Sequence, residues 1–89
     1  MEGRRLILND GTVIEGGEAG YAQGFLWCYM KGLTMMQAAS LFFDTGKTAR
    51  ILFQYGDMED EYNGFTNCTN INIDTDGRVS VCMTKAVEG

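Results

Sequence analysis

The residues best spaced for chemistry lie at the centre of the chain, in the sequence TGKT at positions 45–48. A phosphate-binding loop ends in this way, because its glycine amides and its lysine hold nucleotide phosphates. Such a loop needs another glycine at position 41, where Leu41 stands, and it must join a strand to the start of a helix. Here a predicted helix comes first and a predicted strand follows. We therefore predict that Gly46 ends the helix and that Lys47 is a solvated turn residue.

A second near-motif has residue types that bind calcium. It matches the first, third, fifth and sixth positions of an EF-hand loop. The matching residues are Asn72, Asp74, Asp76 and Gly77. The twelfth position needs a bidentate glutamate and is Met83 instead, and no predicted helix flanks the segment. We therefore interpret the segment as a hairpin turn and expect no metal site.

The chain offers little for catalysis. It has three cysteines, Cys28, Cys68 and Cys82, but no histidine to activate a thiol. Cys28 and Cys82 lie in apolar or alternating segments, so we predict that they are buried and reduced. The two serines, Ser40 and Ser80, lie in a predicted helix and a predicted strand rather than in a nucleophile turn. We expect a protein that is not an enzyme and that holds no cofactor.

Glycine is concentrated in residues 16–24, where it fills four of nine positions. This composition predicts a flexible loop. Its backbone could approach a ligand closely, with Tyr21 as a stacking group, because glycine has no side chain to keep a ligand away. The segment lacks the strand–loop–helix setting of a dinucleotide site. The sequence leaves open whether this loop is ordered.

Length, composition and charge restrict the class of protein. The 89 residues predict one small domain, residues 1–89, and 45% of them are hydrophobic, which is typical of a globular chain. Self-association is expected, because a core of this size supplies only about 3–5 kcal/mol. A net charge of −5 argues against nucleic acid as a partner. The longest apolar stretches are far shorter than the ~20 residues that span a membrane, so no membrane segment is predicted.

The first half of the chain predicts a hairpin, a buried strand and a helix. The hairpin turns at Asp10 and Gly11, which tolerate positive φ. The sequence FLWCYM at 25–30 is apolar on both faces and predicts a central strand buried on both sides. Thr34 and Gln37 have the spacing of a capping box that starts a helix. This helix is apolar around most of its surface, so a sheet or a partner must cover it.

The second half predicts strands and turns. Residues 48–56 alternate, with Ile51 and Phe53 on one face. The acidic residues 57–61 are interpreted as a solvated turn. Residues 74–77 predict a second hairpin turn, and a closing strand places Val79, Val81 and Met83 inward. The predicted fold class is α+β, with one short α-helix packed on a curved, mostly antiparallel β-sheet of five to six strands.

Six short motifs occur along the chain. They are L-x-L-x-D-G-T at 6–12, LW-x-Y at 26–29, M-x-x-A-x-x-x-F-x-D, within 35–44, K-T-x-R-I-x-F-x-Y-G at 47–56, Y-x-G-[FY]-T at 62–66 and V-x-V-C at 79–82. With these motifs, most of the chain resembles a group of small proteins encoded by phages and prophages of gut Firmicutes. The resemblance implies no particular activity. It implies a virion or accessory role, since such proteins often accompany tail genes.

Two functions are expected from these features. The first is a phage-encoded binding or assembly module that associates with itself and with a phage or host protein, because large aromatic and methionine side chains are favoured at interfaces. The alternative is a counter-defence protein that sequesters a small anionic nucleotide, such as a host cyclic-nucleotide signal, at a subunit interface. Either role implies a location in the cytoplasm of an infected bacterium or in the virion. The residues expected to bind the ligand or partner are Tyr21, Lys47, Arg50, Tyr55, Tyr62 and Arg78.

Some properties stay open at this point. The sequence does not identify the partner, the number of subunits or the covered face of the sheet. Burial of Trp27, Phe42 and Phe43 within one subunit would weaken the aromatic argument for association.

Overall fold

The computed structural model describes residues 3–86, which form eight strands and two short helices. The elements in chain order are β1 (Arg4–Ile7), β2 (Val13–Glu15), β3 (Glu18–Ala22), β4 (Phe25–Lys31), α1 (Met35–Phe42), α2 (Thr45–Thr48), β5 (Arg50–Tyr55), β6 (Met58–Asn63), β7 (Asn67–Ile73) and β8 (Arg78–Thr84). Neither helix in this described part is long and apolar enough to cross a membrane.

The strands form two antiparallel sheets of four strands each. Sheet A has the order β2-β1-β5-β6, and sheet B has the order β3-β4-β8-β7. Each sheet joins one hairpin from the first half of the chain to one hairpin from the second half. Strand β5 pairs with β1 at the centre of sheet A, as β8 pairs with β4 at the centre of sheet B. The two halves of the chain therefore have the same pairing plan.

Both sheets turn one face towards a shared core. Sheet A contributes Leu6 and Ile51, and sheet B contributes Leu26 and Val81, all with no exposed surface. The expected alternation of β5 is confirmed, since Ile51 and Phe53 are buried while Arg50, the first residue of β5, is exposed. The inward positions of β8 are also as predicted, with Val79, Val81 and Met83 fully buried.

Helix α1 begins at the predicted capping box. The Thr34 hydroxyl accepts a hydrogen bond from the Gln37 amide at 3.1 Å, and the Gln37 side chain accepts one from the Thr34 amide at 2.9 Å. The side of the helix with Ala38 and Phe42 is fully buried against the shared core. The chain leaves the helix at Phe43, whose amide donates to the Ala39 carbonyl.

The α+β class is confirmed, but the prediction of one sheet with five to six strands was wrong. Two segments interpreted as non-repetitive are strands. Residues 18–22 form β3 within the glycine-rich stretch, and the acidic residues 58–63 form β6. Both are edge strands, and each is held by backbone pairing with a more apolar neighbour, β4 for β3 and β5 for β6. Cross-strand pairing outweighs the weak strand propensity of glycine and acidic residues.

Strand β4 is central in sheet B, as predicted for residues 25–30, but it is buried on one face only. Leu26, Cys28 and Met30 point into the core, with at most 2% of their surface exposed. The alternate aromatic residues point away from sheet A and remain partly or largely exposed. The expectation of burial on both faces was wrong because sheet A and the helices cover only the inner side.

The segment 45–48 is neither the end of α1 nor a plain turn. It forms α2, and Gly46 lies inside this helix instead of in a left-handed position. Asp44 begins α2, because its carboxylate accepts hydrogen bonds from the amides of Gly46 and Lys47 at 2.9 and 3.4 Å. These are the amides that a phosphate would need. The carboxylate of Asp44 occupies them, so the segment is not arranged as a phosphate-binding loop.

Candidate binding surfaces

Lys47, expected to contact a ligand, is paired with a carboxylate of the first hairpin. Its Nζ atom donates to Asp10 Oδ2 at 3.1 Å, which corrects the prediction of a solvated turn residue. Asn9 strengthens this contact, because its amide donates to the Lys47 carbonyl and its side chain to the Gly46 carbonyl. Hydrogen bonds from Thr12, followed by the contact with Lys47, lower the pKa of Asp10 from 3.8 to about 2. This pair fixes α2 against the hairpin.

Arg50 and Tyr55, at opposite ends of β5, are each bound to an acidic residue of β6. Arg50 Nε donates to Glu61 at 3.0 Å, and the Tyr55 hydroxyl donates to Asp60 at 3.1 Å. The Asn63 side chain and then Arg50 lower the pKa of Glu61. The hydrogen bond to Asp60 raises the pKa of the Tyr55 phenol, because it stabilises the protonated form.

Tyr21 and Tyr62 come together through a third ring. Tyr21 in β3 and Tyr62 in β6 both meet Phe65 edge to face, with ring centroids 5.6 and 6.3 Å away. Phe65 is buried, and the cluster joins an edge of sheet B to an edge of sheet A. Burial raises the pKa of the Tyr62 phenol. Sequence reasoning did not select Phe65 as a binding residue, although Phe65 lies in the Y-x-G-[FY]-T motif at 62–66.

Arg78 lies at the start of β8, with its guanidinium 4.3 Å from the centre of the Tyr29 ring. The two residues border a cleft of about 290 Å³, whose other charged lining residues are Glu18, Lys31 and Asp76. Asp76 is part of the predicted turn at 74–77. This turn is confirmed, because Gly77 has a φ of 84° and its amide donates to the Asp74 carbonyl.

The six expected binding residues therefore do not form one site within residues 3–86. Lys47, Arg50 and Arg78 lie in three different settings, each with its own partner. Sequence reasoning selected these cations and aromatics by residue type. It could not find their distant partners, since Asp10 lies 37 residues from Lys47 and Glu61 lies 11 residues from Arg50.

Two surfaces outside the six expected residues also carry exposed large apolar side chains. The first is the outer side of α1 together with the capping residue that follows it, here called the helix patch and formed by Met36, Ser40 and Phe43. Met36 is 82% exposed and Phe43 is 61% exposed, while Phe42 on the opposite side has no exposed surface. Met36 and Phe43 are seven residues apart, which places them on the same side of a helix, two turns from each other. Ser40 lies between them.

The second surface is the outer side of sheet B, here called the aromatic face. Its central row is the alternate residues of β4, Phe25, Trp27 and Tyr29. The strand register places the other members on the same side. They are Glu18, Gly20 and Ala22 on β3, Arg78, Ser80, Cys82 and Thr84 on β8, and Asn67, Asn70 and Asn72 on β7. The signal was present in the sequence as three aromatics at every second position of residues 25–29.

The cysteines behave as predicted for small buried side chains. Cys28 and Cys82 are buried and Cys68 is partly buried, and all three are free thiols. Burial raises the pKa of Cys28 to about 12, and it also raises the pKa of Cys68. A thiol that stays protonated at neutral pH is a poor nucleophile.

Comparisons of the chain with protein-family models, curated proteins and solved structures found no match. The resemblance to phage-encoded proteins therefore stays a prediction, and the two surfaces must be interpreted from their own chemistry.

Proposed function

We propose that the protein is a non-catalytic association module in which the helix patch pairs with a second copy of the chain. The observation that supports this most strongly is the exposure of Met36 and Phe43, at 82% and 61%, on a helix whose opposite side fills the core. Large apolar side chains grouped on one side of a helix are typical of helix-in-groove and helix-pair recognition. Methionine adapts its shape to a partner surface.

Charge favours the same surface. At a net charge of −5, two copies of the chain repel each other at most orientations. Residues 32–43, which include all of α1, contain no charged side chain. Two copies that meet through α1 therefore bring no like charges of this segment together. This argues for a second copy as the occupant of the patch.

The spacing of the patch suits a two-fold axis near Ser40. In an antiparallel pair around that axis, Met36 of one copy faces Phe43 of the other, and the same contact forms twice. Sulfur–aromatic contacts of this kind are favourable. The small side chain of Ser40 lets the two helices approach closely at the centre.

The pair is expected to be weak. Burial of one Met or Phe side chain contributes about 1.5–3 kcal/mol, and the pair buries two from each copy. Association costs about 4–15 kcal/mol in lost freedom of movement. At the favourable end these figures leave about 8 kcal/mol, which corresponds to a dissociation constant of about 1 μM, so we expect a dissociation constant between about 1 μM and 1 mM.

A wider role follows from the same proposal. Self-pairing leaves the rest of the surface available for a phage or host protein, in keeping with a tail or accessory protein in the virion or in the infected cell. The alternative of nucleotide sequestration stays a prediction, since it places Lys47, Arg50 and Arg78 at a subunit interface. Each of these cations already has a partner in the single chain, so no contact described above favours that alternative.

Sedimentation equilibrium over about 10 μM to 1 mM protein tests the proposal. We expect a monomer–dimer equilibrium that Met36→Ser or Phe43→Ser weakens by roughly tenfold each. Val13→Ser is the matched control, because Val13 is an apolar residue of sheet A that is 46% exposed. A monomer throughout the range, or an equal loss in the control, would overturn the proposal.

A further inference from the structure

We propose that the aromatic face binds a neutral oligosaccharide. This proposal goes beyond association through the helix patch and does not depend on it, since the two surfaces share no residue. It rests on four properties of the face: its exposed rings, its neutral hydrogen-bonding groups, its balance of charge and its open edge.

The rings come first. Phe25 is 41% exposed, Trp27 is partly exposed, and the two are about 7 Å apart along β4. The faces of aromatic rings carry partial negative charge, which attracts the C–H groups on one side of a sugar ring. At the end of the row, the guanidinium of Arg78 covers the Tyr29 ring, so this position presents hydrogen-bond donors instead of an exposed ring face. The face therefore offers two rings for stacking, Phe25 and Trp27, and hydrogen-bond donors at the Arg78 end of the row.

Neutral hydrogen-bonding side chains lie along the β8 and β7 side of these rings. They are Asn67, Asn70, Asn72, Ser80 and Thr84. Amides and hydroxyls both donate and accept, as sugar hydroxyls do, so they match a ligand that is dense in hydroxyl groups. Asn67 already donates to the Thr84 hydroxyl at 2.9 Å, which holds both side chains in place.

The charge of the face favours a neutral ligand. Its charged residues are confined to the cleft beside Tyr29, where Glu18 and Asp76 lie beside Lys31 and Arg78, and Glu18 is also paired with Arg4 at 3.1 Å. Nucleic acid would need a basic groove, and the whole chain has a net charge of −5. Carboxylates and a guanidinium at the end of the row are also suitable partners for neighbouring sugar hydroxyls.

The β3 edge of the face is open beside the stacking ring. Gly20 lies opposite Trp27 in the strand register, and a Cβ atom added at Gly20 would meet no atom within 4 Å. A ligand lying across Trp27 can therefore extend over β3. The same geometry supplies a blocking variant, because a side chain at position 20 occupies that space without disturbing the strand.

Peptide partners fit the face less well. Within residues 3–86, the strand positions on this side carry three large apolar side chains, the rings of the central row, and the positions around them are mostly polar, whereas a protein interface normally has a broader apolar centre. A proline-rich peptide also docks on aromatic rings. It offers few donors to match five amide and hydroxyl side chains, whereas a sugar offers hydroxyls on every unit.

Trp27 is the only tryptophan in the sequence, so it serves as an intrinsic fluorescence probe. Its fluorescence reports on this face alone. Cellohexaose, chitohexaose and maltohexaose are titrated to about 10 mM with the full-length protein, with decaproline as the peptide probe. Calorimetry gives the affinity independently. We expect at least one of the sugars to shift the emission of Trp27 in a saturable way.

Variants separate the face from the fold. Gly20→Val should lower sugar affinity by roughly tenfold or more while the melting temperature is kept or raised, since valine favours strands. Trp27→Ala should also lower the sugar affinity, as measured by calorimetry. The double variant Met36→Ser with Phe43→Ser, altered on the helix patch, should keep the wild-type affinity for sugar.

Each possible result supports or overturns the oligosaccharide proposal. Saturable binding of a sugar that Gly20→Val abolishes supports the proposal. No response to any of the three sugars overturns it, as does binding that Gly20→Val leaves unchanged. Binding of decaproline alone assigns the face to peptides and also rejects the sugar. None of these outcomes alters the test of self-association, which is read from sedimentation.

Discussion

Gly17 and Leu6 approach each other more closely than any side chain at position 17 would allow. A Cβ atom added at Gly17 would lie 2.9 Å from Leu6 Cγ, and Leu6 is fully buried. Gly17→Ala must therefore displace a core side chain, and we expect it to lower the free energy of unfolding by about 1–3 kcal/mol. Urea denaturation measures the change.

The control for this substitution is Gly20→Ala, in the same glycine-rich stretch, where the added atom meets nothing within 4 Å. We expect it to leave stability within about 0.5 kcal/mol of wild type or to raise it. Equal effects of the two substitutions would show that the glycine at position 17 is not required for packing against Leu6.

Asp10 makes stability depend on pH under acidic conditions. Its pKa is lowered from 3.8 to about 2 in the folded chain, so its contribution is present above pH 3.8 and is lost as the pH falls towards 2. We expect the gap in stability between wild type and Asp10→Asn to shrink over that interval. Thr12→Val removes the side-chain hydrogen bond of Thr12, which is the largest cause of the lowered pKa of Asp10. Stability should therefore fall less steeply with pH over the same interval.

Thermal unfolding measured by circular dichroism from pH 5 to about pH 2 gives this profile. A gap between wild type and Asp10→Asn that stays constant over this range would contradict the assignment of Asp10.

The capping box makes a second local prediction. Thr34→Ala removes the acceptor for the Gln37 amide and should cost about 1 kcal/mol of unfolding free energy. Because the two hydrogen bonds support each other, Thr34→Ala and Gln37→Ala combined should cost less than the sum of the single changes. Denaturation of all three variants tests this. Thr75→Ala, on an exposed turn, is the control, and strictly additive costs would argue against a reciprocal box.

The thiols should differ in reactivity. Burial raises the pKa of Cys28 to about 12, so in the folded protein it should resist an aromatic disulfide reagent at neutral pH. Cys68, which is partly buried, should react before it. Mass spectrometry of the labelled peptides gives the order, and urea should expose all three sites. Labelling of Cys28 as fast as Cys68 would contradict its placement in the core.

Local chemistry explains what the sequence predicted well. The turns at Asp10–Gly11 and Asp74–Gly77 and the start of α1 at Thr34 depend on residues within a few positions of one another. The alternation of β5 and β8 is likewise visible in a short window. These features are present in the fold because tertiary contacts stabilise the same local conformations.

The remaining features depend on partners distant in the chain. Strand β6 is acidic and forms because β5 pairs with it, and β3 forms because its register with β4 places Ala19 inward beside Cys28. Binding residues were harder to predict for the same reason. The availability of Arg50 or Lys47 depends on Glu61 and Asp10, whose positions only the folded chain defines.

Disulfide trapping at Ser40 tests the central claim, self-association through the helix patch, most directly. An antiparallel pair places position 40 of one copy beside position 40 of the other, within the distance that a disulfide needs. Under mild oxidation, Ser40→Cys should give a covalent dimer on a non-reducing gel much faster than wild type or Thr75→Cys, which is altered on an exposed turn. Crosslinking of Ser40→Cys no faster than that of Thr75→Cys would contradict the account.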